Sequence, residues 1–128
     1  MRFELPSLRH LGGPHLRAMT ATGLLCALAA CSPSGKPLTP AEVAALKPAD
    51  AHLAQLYEHS CKACHAVPGS GAPQVHDATQ WDRRWEKGED VLLSHVILGF
   101  KGMPAGGQCA SCTQSDFKAL IRFMANKE

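Results

Sequence analysis

The sequence predicts an all-α domain of four to five short helices joined by long loops. Three observations support this prediction. Apolar residues recur at helical spacings of three and four, and no segment shows the alternation typical of a strand. Residues that favour helix starts stand just before the periodic segments. Glycine and proline are concentrated in residues 67–78 and 102–107, which are therefore predicted loops. With 128 residues, the chain has room for one domain.

The first thirty residues are predicted to be a lipoprotein signal peptide. Arginines within 1–17 precede an apolar run over 18–30, and this order of charge and hydrophobicity is typical of a secretory signal. The run is too short to span a bilayer, which needs about 20 apolar residues. It ends in Leu-Ala-Ala-Cys at 28–31, which resembles a bacterial lipobox, so Cys31 is the predicted lipidated residue. A plain signal peptide with an incidental Cys31 is the alternative.

The predicted anchor and the charge balance restrict location and partners. A lipid on Cys31 would hold the protein on a membrane of the bacterial cell envelope, facing the periplasm. Met1 is preferred to Met19 as the start, because the later start would remove every arginine of the basic stretch. The whole chain has a formal charge of +2, but the residues from Cys31 onward carry equal numbers of basic and acidic side chains. A neutral domain gives no reason to expect nucleic acid as a partner.

Residues 31–48 are predicted to be a tether with one short helix, and residues 49–128 the main domain. The run Thr-Pro-Ala-Glu at 39–42 is a capping box with proline in the first helical position. This helix is predicted to end before Pro48. Asp50 is predicted to cap a second helix that leads directly into a cysteine motif.

Three more helices are predicted towards the C-terminus. The first is capped by Asp77 or Thr79 and is broken by Gly88, and the next runs from there to a stop at Gly99. The last is capped at Thr113. Its apolar face follows spacings of three, four and seven and consists of Phe117, Leu120, Ile121 and Met124.

The first close pair of cysteines lies in the stretch Cys61-Lys62-Ala63-Cys64-His65. Cys-x-x-Cys-His is the attachment sequence of c-type haem. The two thiols add to the two vinyl groups on one side of the porphyrin, and the adjacent histidine becomes an axial ligand of the iron. A disulfide, half of a zinc site and a thioredoxin-like redox pair are the alternatives, and the last would need a βαβ context that this chain lacks. The motif therefore predicts one covalent haem c.

The second close pair is Cys109 and Cys112, and it is followed by a threonine, so it is not a second haem motif. Free thiols are not expected to persist in an oxidising compartment, so a structural disulfide is the simpler fate. A four-cysteine zinc site with Cys61 and Cys64 is the alternative. The 44 residues between the two pairs exceed the usual ~15–20 of such sites.

Met103 is the predicted second axial ligand. It lies 38 residues after His65 in a glycine-rich loop, and Pro104 favours an extended backbone at the methionine. A thioether ligand favours ferrous iron and closes the metal to oxygen. The competing candidates are Met124, His52, His59, His76 and His95.

Over about residues 50–126 the sequence resembles class I c-type cytochromes and, within them, the cytochrome c5 group. The resemblance depends on the haem motif at 61–65, Gly71-Ala72-Pro73, Trp81 with Arg84 and Gly88, Gly99 with Met103-Pro104, and Gly107-x-Cys109-x-x-Cys112. A cysteine pair after the methionine is uncommon in other c-type cytochromes. Two features depart from the group. Its members are often soluble or tandem, whereas this chain is predicted to be a single, lipidated domain. Ala105 stands where a second proline is common in the group.

The resemblance implies a cytochrome c fold, in which four to five short helices wrap around one covalent haem and the first and last core helices cross. It implies that the carbonyl of Pro73 accepts a hydrogen bond from the ring N–H of His65, which makes this ligand more basic. It also implies that Trp81 and Arg84 lie near the haem propionates. Plain packing is the alternative for Trp81.

The predicted function is outer-sphere transfer of single electrons, with His65 and Met103 as the axial ligands. No cluster of acids, bases or nucleophiles accompanies the haem motif, so the chain is not predicted to be an enzyme. The expected partners are donor and acceptor cytochromes or an oxidase, together with the membrane that holds the lipid. A haem-based sensor or enzyme with an open distal site is the alternative, and a structural zinc protein is a third hypothesis.

Overall fold

The computed structural model describes residues 37–128, and in this part the chain forms six α-helices and one 3-10 turn. The helices are α1 (Pro40–Ala45), α2 (Ala51–His59), α3 (Lys62–His65), α4 (Ala78–Trp85), α5 (Glu89–Leu98) and α6 (Gln114–Ala125), and the 3-10 turn is Ala105–Gln108. Residues 37–128 contain no β-strand, so the predicted all-α fold class is confirmed. None of the helices over these residues is long and apolar enough to cross a membrane. The predicted signal peptide at 1–30 and the lipid site at Cys31 lie outside the described residues.

Side chains cap the helices where the sequence predicts caps. At α1 the hydroxyl of Thr39 accepts from the backbone N–H of Glu42 at 3.3 Å, and the Glu42 carboxylate accepts from the backbone N–H of Thr39 at 2.7 Å. Thr113 and Asp116 form the same reciprocal pair at α6. The carboxylate of Asp50 accepts from a backbone N–H in the first turn of α2 at 2.8 Å. These bonds satisfy backbone donors that a helix start leaves free, so they fix where each helix begins.

The structure decides one open alternative and departs from the prediction in two details. Asp77, and not Thr79, caps α4, since its carboxylate accepts from the backbone N–H of Thr79 at 3.0 Å. Helix α4 ends at Trp85, ahead of the predicted break at Gly88. Residues 37–128 form six α-helices where four to five were predicted, because the haem motif itself forms the single turn α3. A four-residue helix is too short to show a period in the sequence.

The core is built around α6, whose predicted apolar face is buried. Tyr57 of α2 meets Phe123 of α6 edge to face with a centroid separation of 5.1 Å, so the first and last core helices pack against each other at this point. One core cluster includes Tyr57, Val75, Trp81, Leu120, Phe123 and Met124. A second cluster consists of Leu92, Leu93, Cys109, Phe117 and Ile121. Since α6 contributes to both clusters, it joins the haem motif on one side to α5 on the other.

Ion pairs add to the packing of α5 against α6. Arg122 donates to both carboxylate oxygens of Glu89, at 2.6 and 2.9 Å, and Lys118 donates to Asp90 at 3.1 Å. The two acidic residues lie in the first turn of α5, where their negative charges also interact favourably with the helix dipole. Each pair has at least one well-exposed partner, so the pairs contribute less to stability than the buried clusters do.

Candidate haem site

The two cysteines of the haem motif lie on one helical turn. Cys61 has helical backbone angles just ahead of α3, and its carbonyl accepts from the backbone N–H of His65 at 2.9 Å. Residues three apart on a helix are neighbours on its surface, so Cys61 and Cys64 present their sulfurs to the same side. Both are free thiols, Cys61 half-buried and Cys64 exposed. Burial raises the pKa of Cys61, which is therefore a protonated thiol at neutral pH.

The imidazole of His65 is oriented by a backbone carbonyl. Its Nδ1 lies 2.8 Å from the carbonyl oxygen of Pro73. A carbonyl oxygen only accepts, so Nδ1 carries the proton and donates, and Nε2 keeps the lone pair that can bind a metal. The side chain is 7% exposed. Burial lowers the pKa of His65, the bond to Pro73 opposes this shift and the positive charge of Arg84 adds to it, so the ring is neutral at pH 7.

The loop that presents the Pro73 carbonyl is itself hydrogen-bonded. The backbone N–H of Val75 donates to the carbonyl of His65 at 2.8 Å, and that of His76 donates to the carbonyl of Met124 at 2.8 Å. The side-chain amide of Gln74 donates to the carbonyl of Val67 at 2.7 Å. The acceptor of the His65 proton is thus fixed by bonds to α3 and to α6.

Trp81 and Arg84 lie on the same side as His65. The ring of Trp81 is buried, 5.9 Å from the His65 ring between centroids and inclined to it by 28°. Its indole N–H donates to the carbonyl of Gln74 at 2.7 Å, so the only polar atom of this side chain already has an acceptor. The half-buried guanidinium of Arg84 donates to the carbonyl of Gln80. Contact of either residue with propionates stays a prediction.

Met103 lies in a tight turn at the end of α5. The backbone N–H of Phe100 donates to the carbonyl of Met103 at 2.9 Å, and the reverse bond is 3.0 Å. The preceding Gly99 has a φ of +82°, and a Cβ there would lie 3.0 Å from the backbone nitrogen of Ala105 and 3.1 Å from the carbonyl oxygen of Met103. The turn therefore packs closely on its own neighbours, and the 3-10 turn that follows begins after Pro104, which has extended backbone angles itself.

The competing ligand candidates have other contacts. His52 approaches the carboxylate of Asp116 at 3.5 Å, and His76 meets the edge of Phe123 at 5.2 Å. The ring of His95 stacks on that of Phe100. Met124 is packed in the first core cluster, and His59 is exposed at the end of α2. The half-buried Met103 lies in a loop, the setting that the sequence favours for the second ligand.

The second cysteine pair is linked. Cys109 and Cys112 form a disulfide with a Cα–Cα distance of 5.4 Å, between the Met103 loop and the cap of α6. Cys109 is buried in the second core cluster. Because their sulfurs are bonded to each other, they do not form a four-cysteine zinc site with Cys61 and Cys64. Residues 37–128 hold no cluster of three or more His, Cys, Asp or Glu side chains fit for a metal ion.

The donor set fits a covalently attached haem. Two free thiols share one helical face, the adjacent neutral imidazole has Nε2 available, and a thioether lies in a second ordered loop. Large apolar side chains next to both loops are exposed, namely Val67, Leu98 and Phe100. An apolar prosthetic group would cover surface of this kind. The sequence alone did not single out Phe100 or its stack with His95, which depends on the path of the chain between α5 and the Met103 loop.

The chain is similar to small cytochromes and to one family model. Residues 48–124 match the family described as cytochrome C oxidase, cbb3-type, subunit III. Over 67 residues the chain is 34% identical to cytochrome c5 of Ectopseudomonas mendocina, covering 51% of this chain and 77% of that protein. It is 37% identical over 67 residues to cytochrome c5 of Azotobacter vinelandii, covering 51% and 81%. In a solved electron transfer complex of nitrite reductase with cytochrome c, one chain matches with a TM-score of 0.54 and 28% identity, covering 61% of this chain and 95% of that chain.

Proposed function

This chain belongs to the class I c-type cytochromes, and we propose that it carries single electrons between membrane-associated redox proteins. Its membership is shown by the match to the family of cytochrome C oxidase, cbb3-type, subunit III and by its cytochrome c5 relatives. Haem c is the covalently bound cofactor of this family. We assign its attachment to Cys61 and Cys64 and its axial ligation to His65 and Met103. The bound haem supplies a one-electron iron couple.

The geometry of His65 is the observation that carries the proposal. Its Nδ1 donates to Pro73 at 2.8 Å, which leaves Nε2 unprotonated, and the ring is neutral because burial lowers its pKa. Two thiols lie on the adjoining turn. A ligand oriented by a fixed carbonyl keeps one position in both oxidation states, and a small change in geometry is what rapid electron transfer requires.

Met103 supports transfer of electrons over binding of gas or substrate. Its turn is fixed by two backbone hydrogen bonds to Phe100, so the thioether is presented from an ordered loop. A thioether in the sixth position closes the metal and raises the reduction potential relative to two histidines. The similar chain in the nitrite reductase complex is itself bound to a redox enzyme, which supports redox proteins as the class of partner.

Attachment to the cell envelope is the remaining part of the proposal and is supported by the lipobox at 28–31. A lipid on Cys31 would place donor and acceptor at the same membrane surface, facing the periplasm. Cell fractionation tests this part, since Cys31→Ser should move the haem-staining protein from the membrane to the soluble periplasmic fraction. Haem staining that stays in the membrane fraction with this variant would contradict it.

Optical spectroscopy of the haem-loaded protein tests the ligation. Oxidised wild-type protein should show the charge-transfer band of a thioether–iron bond, and the reduced protein should not bind carbon monoxide. Met103→Ala should abolish the band and permit carbon monoxide binding. Met124→Leu, a volume-conserving change of the buried methionine in α6, is the matched control and should leave both unchanged. Binding of carbon monoxide by reduced wild-type protein would favour a sensor or enzyme with an open distal site.

A further inference from the structure

Two aromatic rings lie stacked beside the turn that carries Met103. His95 is in the last turn of α5, and its ring centroid lies 3.9 Å from that of Phe100 with an interplanar angle of 15°. The ammonium of Lys101 is 5.5 Å from the centroid of the Phe100 ring. His95 is half-buried and Phe100 is 42% exposed, and neither residue is part of a core cluster. Core packing therefore does not account for the stack.

The backbone of Phe100 is bonded directly to Met103. The two residues exchange hydrogen bonds of 2.9 and 3.0 Å, which close a tight turn through Lys101 and Gly102. A turn of this length has little freedom once both bonds form, so the position of Phe100 sets the position of the Met103 backbone. The ring of Phe100 is in turn held by His95, which belongs to a helix.

The far side of the turn also packs on α5. A Cβ at Gly107 would lie 3.7 Å from Cγ1 of Val96, so the backbone of the 3-10 turn runs close to the helix. The loop is thus attached to α5 on both sides of Met103, by the ring stack before it and by backbone packing after it. Ahead of Met103 in the chain, the stack of Phe100 on His95 joins the turn to the helix through side chains.

We infer that His95 and Phe100, here called the aromatic pair, are positioning residues that hold the Met103 thioether on the iron. This inference rests on the proposed ligation by Met103. Neither residue ligates the metal. The pair acts by restricting the turn, because a methionine on a restrained loop competes better with other ligands than one on a free loop. The pair should therefore raise the fraction of molecules with the thioether bound and, through it, the reduction potential.

The test uses the haem-loaded full chain with Phe100→Ala and His95→Ala. Imidazole added to the oxidised protein competes with Met103, so its affinity reports how firmly the thioether is held. A stacked ring pair contributes a few-fold to about tenfold to an equilibrium constant, so each variant should bind imidazole about 2- to 10-fold more tightly. The charge-transfer band should weaken in parallel and the potential should fall. Phe100→Tyr and His95→Phe keep a flat ring in place and should restore wild-type values.

Two further variants separate positioning from general loss of structure. Val91→Ala removes an exposed apolar side chain from the first turn of α5, outside the pair, and should change neither imidazole affinity nor potential. Phe100→Leu keeps most of the apolar volume without the ring and provides a foldable substitute should Phe100→Ala fail to fold. Wild-type imidazole affinity in Phe100→Leu and His95→Ala would overturn the inference and leave ligation by Met103 intact. A wild-type protein without the thioether–iron band would instead overturn the ligation itself.

Discussion

The ring of Tyr57 meets the ring of Phe123 edge to face at 5.1 Å, and at this contact the first core helix packs on the last. Tyr57 is completely buried and lies one helical turn ahead of Cys61. This contact therefore fixes the end of α2 from which the haem motif begins. Burial raises the pKa of Tyr57 to about 12, and its hydroxyl has no hydrogen-bond partner among residues 37–128.

Removing the Tyr57 hydroxyl should stabilise the protein or leave it unchanged. An unpaired buried hydroxyl costs about 1–3 kcal/mol, so Tyr57→Phe is expected to increase the free energy of unfolding by about 1 kcal/mol. Tyr57→Ala removes the ring as well and should lower it by about 3–5 kcal/mol. Denaturant unfolding of the haem-loaded protein measures both. A clear loss of stability in Tyr57→Phe would show that the hydroxyl is bonded to the haem or to an internal water.

Local signals predicted most of the helix boundaries. Three helix caps depend on a hydrogen bond to a backbone N–H only three residues later, so the sequence is enough to place them. The capping residues are Thr39, Asp50 and Thr113. The choice of Asp77 over Thr79 was not predictable, because either side chain is chemically able to cap. Contacts between distant residues were missed for a similar reason. Nothing near His76 in sequence indicates that its backbone N–H donates to Met124, 48 positions away.

At the candidate site, too, local features were predictable and contacts between separate segments were not. The haem motif and the candidate ligand Met103 were predicted from short runs of consecutive residues. The ring stack of His95 on Phe100 was not, because it depends on the path of the chain through Gly99, which has a φ of +82°. The hydrogen bond of Trp81 was not predicted either. Its indole N–H donates to a carbonyl in the loop beside His65, an interaction between segments that no pattern in the sequence shows.

The disulfide between Cys109 and Cys112 should make a modest contribution to stability. The cysteines are three residues apart, and closing so short a loop stabilises by about 2 kcal/mol through the entropy of the unfolded chain. The double variant Cys109→Ala/Cys112→Ala should lose about this amount, plus a smaller loss where the buried Cys109 side chain is shortened. Thermal unfolding of the haem-loaded protein measures the loss.

Wild-type protein treated with a reductant is the matched control, because it breaks the bond and keeps both side chains. The reduced protein should lose only the part of the stability that is due to the entropy of the unfolded chain. Equal midpoints for reduced and oxidised protein, compared in the same haem oxidation state, would contradict the role of this disulfide.

Asp77 should make the stability of the protein depend on pH in the acid range. Its carboxylate accepts from the hydroxyl of Thr79 at 2.6 Å, from its backbone N–H at 3.0 Å, and from the side chain of Gln80 at 2.6 Å. The bond from the Thr79 side chain is the largest cause that lowers the pKa of Asp77. A carboxyl whose pKa is lower in the folded state stabilises above its unfolded value of about 3.9, and this contribution is lost as the pH falls through the folded value.

Asp77→Ala should therefore lower the free energy of unfolding by about 1 kcal/mol at pH 7, the usual effect of losing a helix cap. Its difference from wild type should shrink below pH 4, where the wild-type carboxyl becomes protonated. Urea unfolding at pH 7 and pH 3 measures this. Glu86→Gln removes an exposed carboxylate at the other end of α4 and should show no such pattern. A difference that stays constant between the two pH values would show that the charge of Asp77 is not involved.

Gly99→Ala should both destabilise the protein and loosen Met103. The φ of +82° is unfavourable for any residue with a Cβ, and this Cβ would also lie 3.0 Å from the nitrogen of Ala105 and 3.1 Å from the oxygen of Met103. Gly69→Ala is a matched control, because Gly69 has a φ of +79° but nothing lies within 4 Å of its Cβ position. The free energy of unfolding of the control should fall by about 1–2 kcal/mol from backbone strain alone. Gly99→Ala should lower the free energy of unfolding by more and, unlike the control, should weaken the thioether–iron band, because the carbonyl that it displaces belongs to Met103, the proposed ligand. Equal losses of stability with an unchanged band in both variants would mean that the loop moves away from the new methyl group without disturbing the methionine.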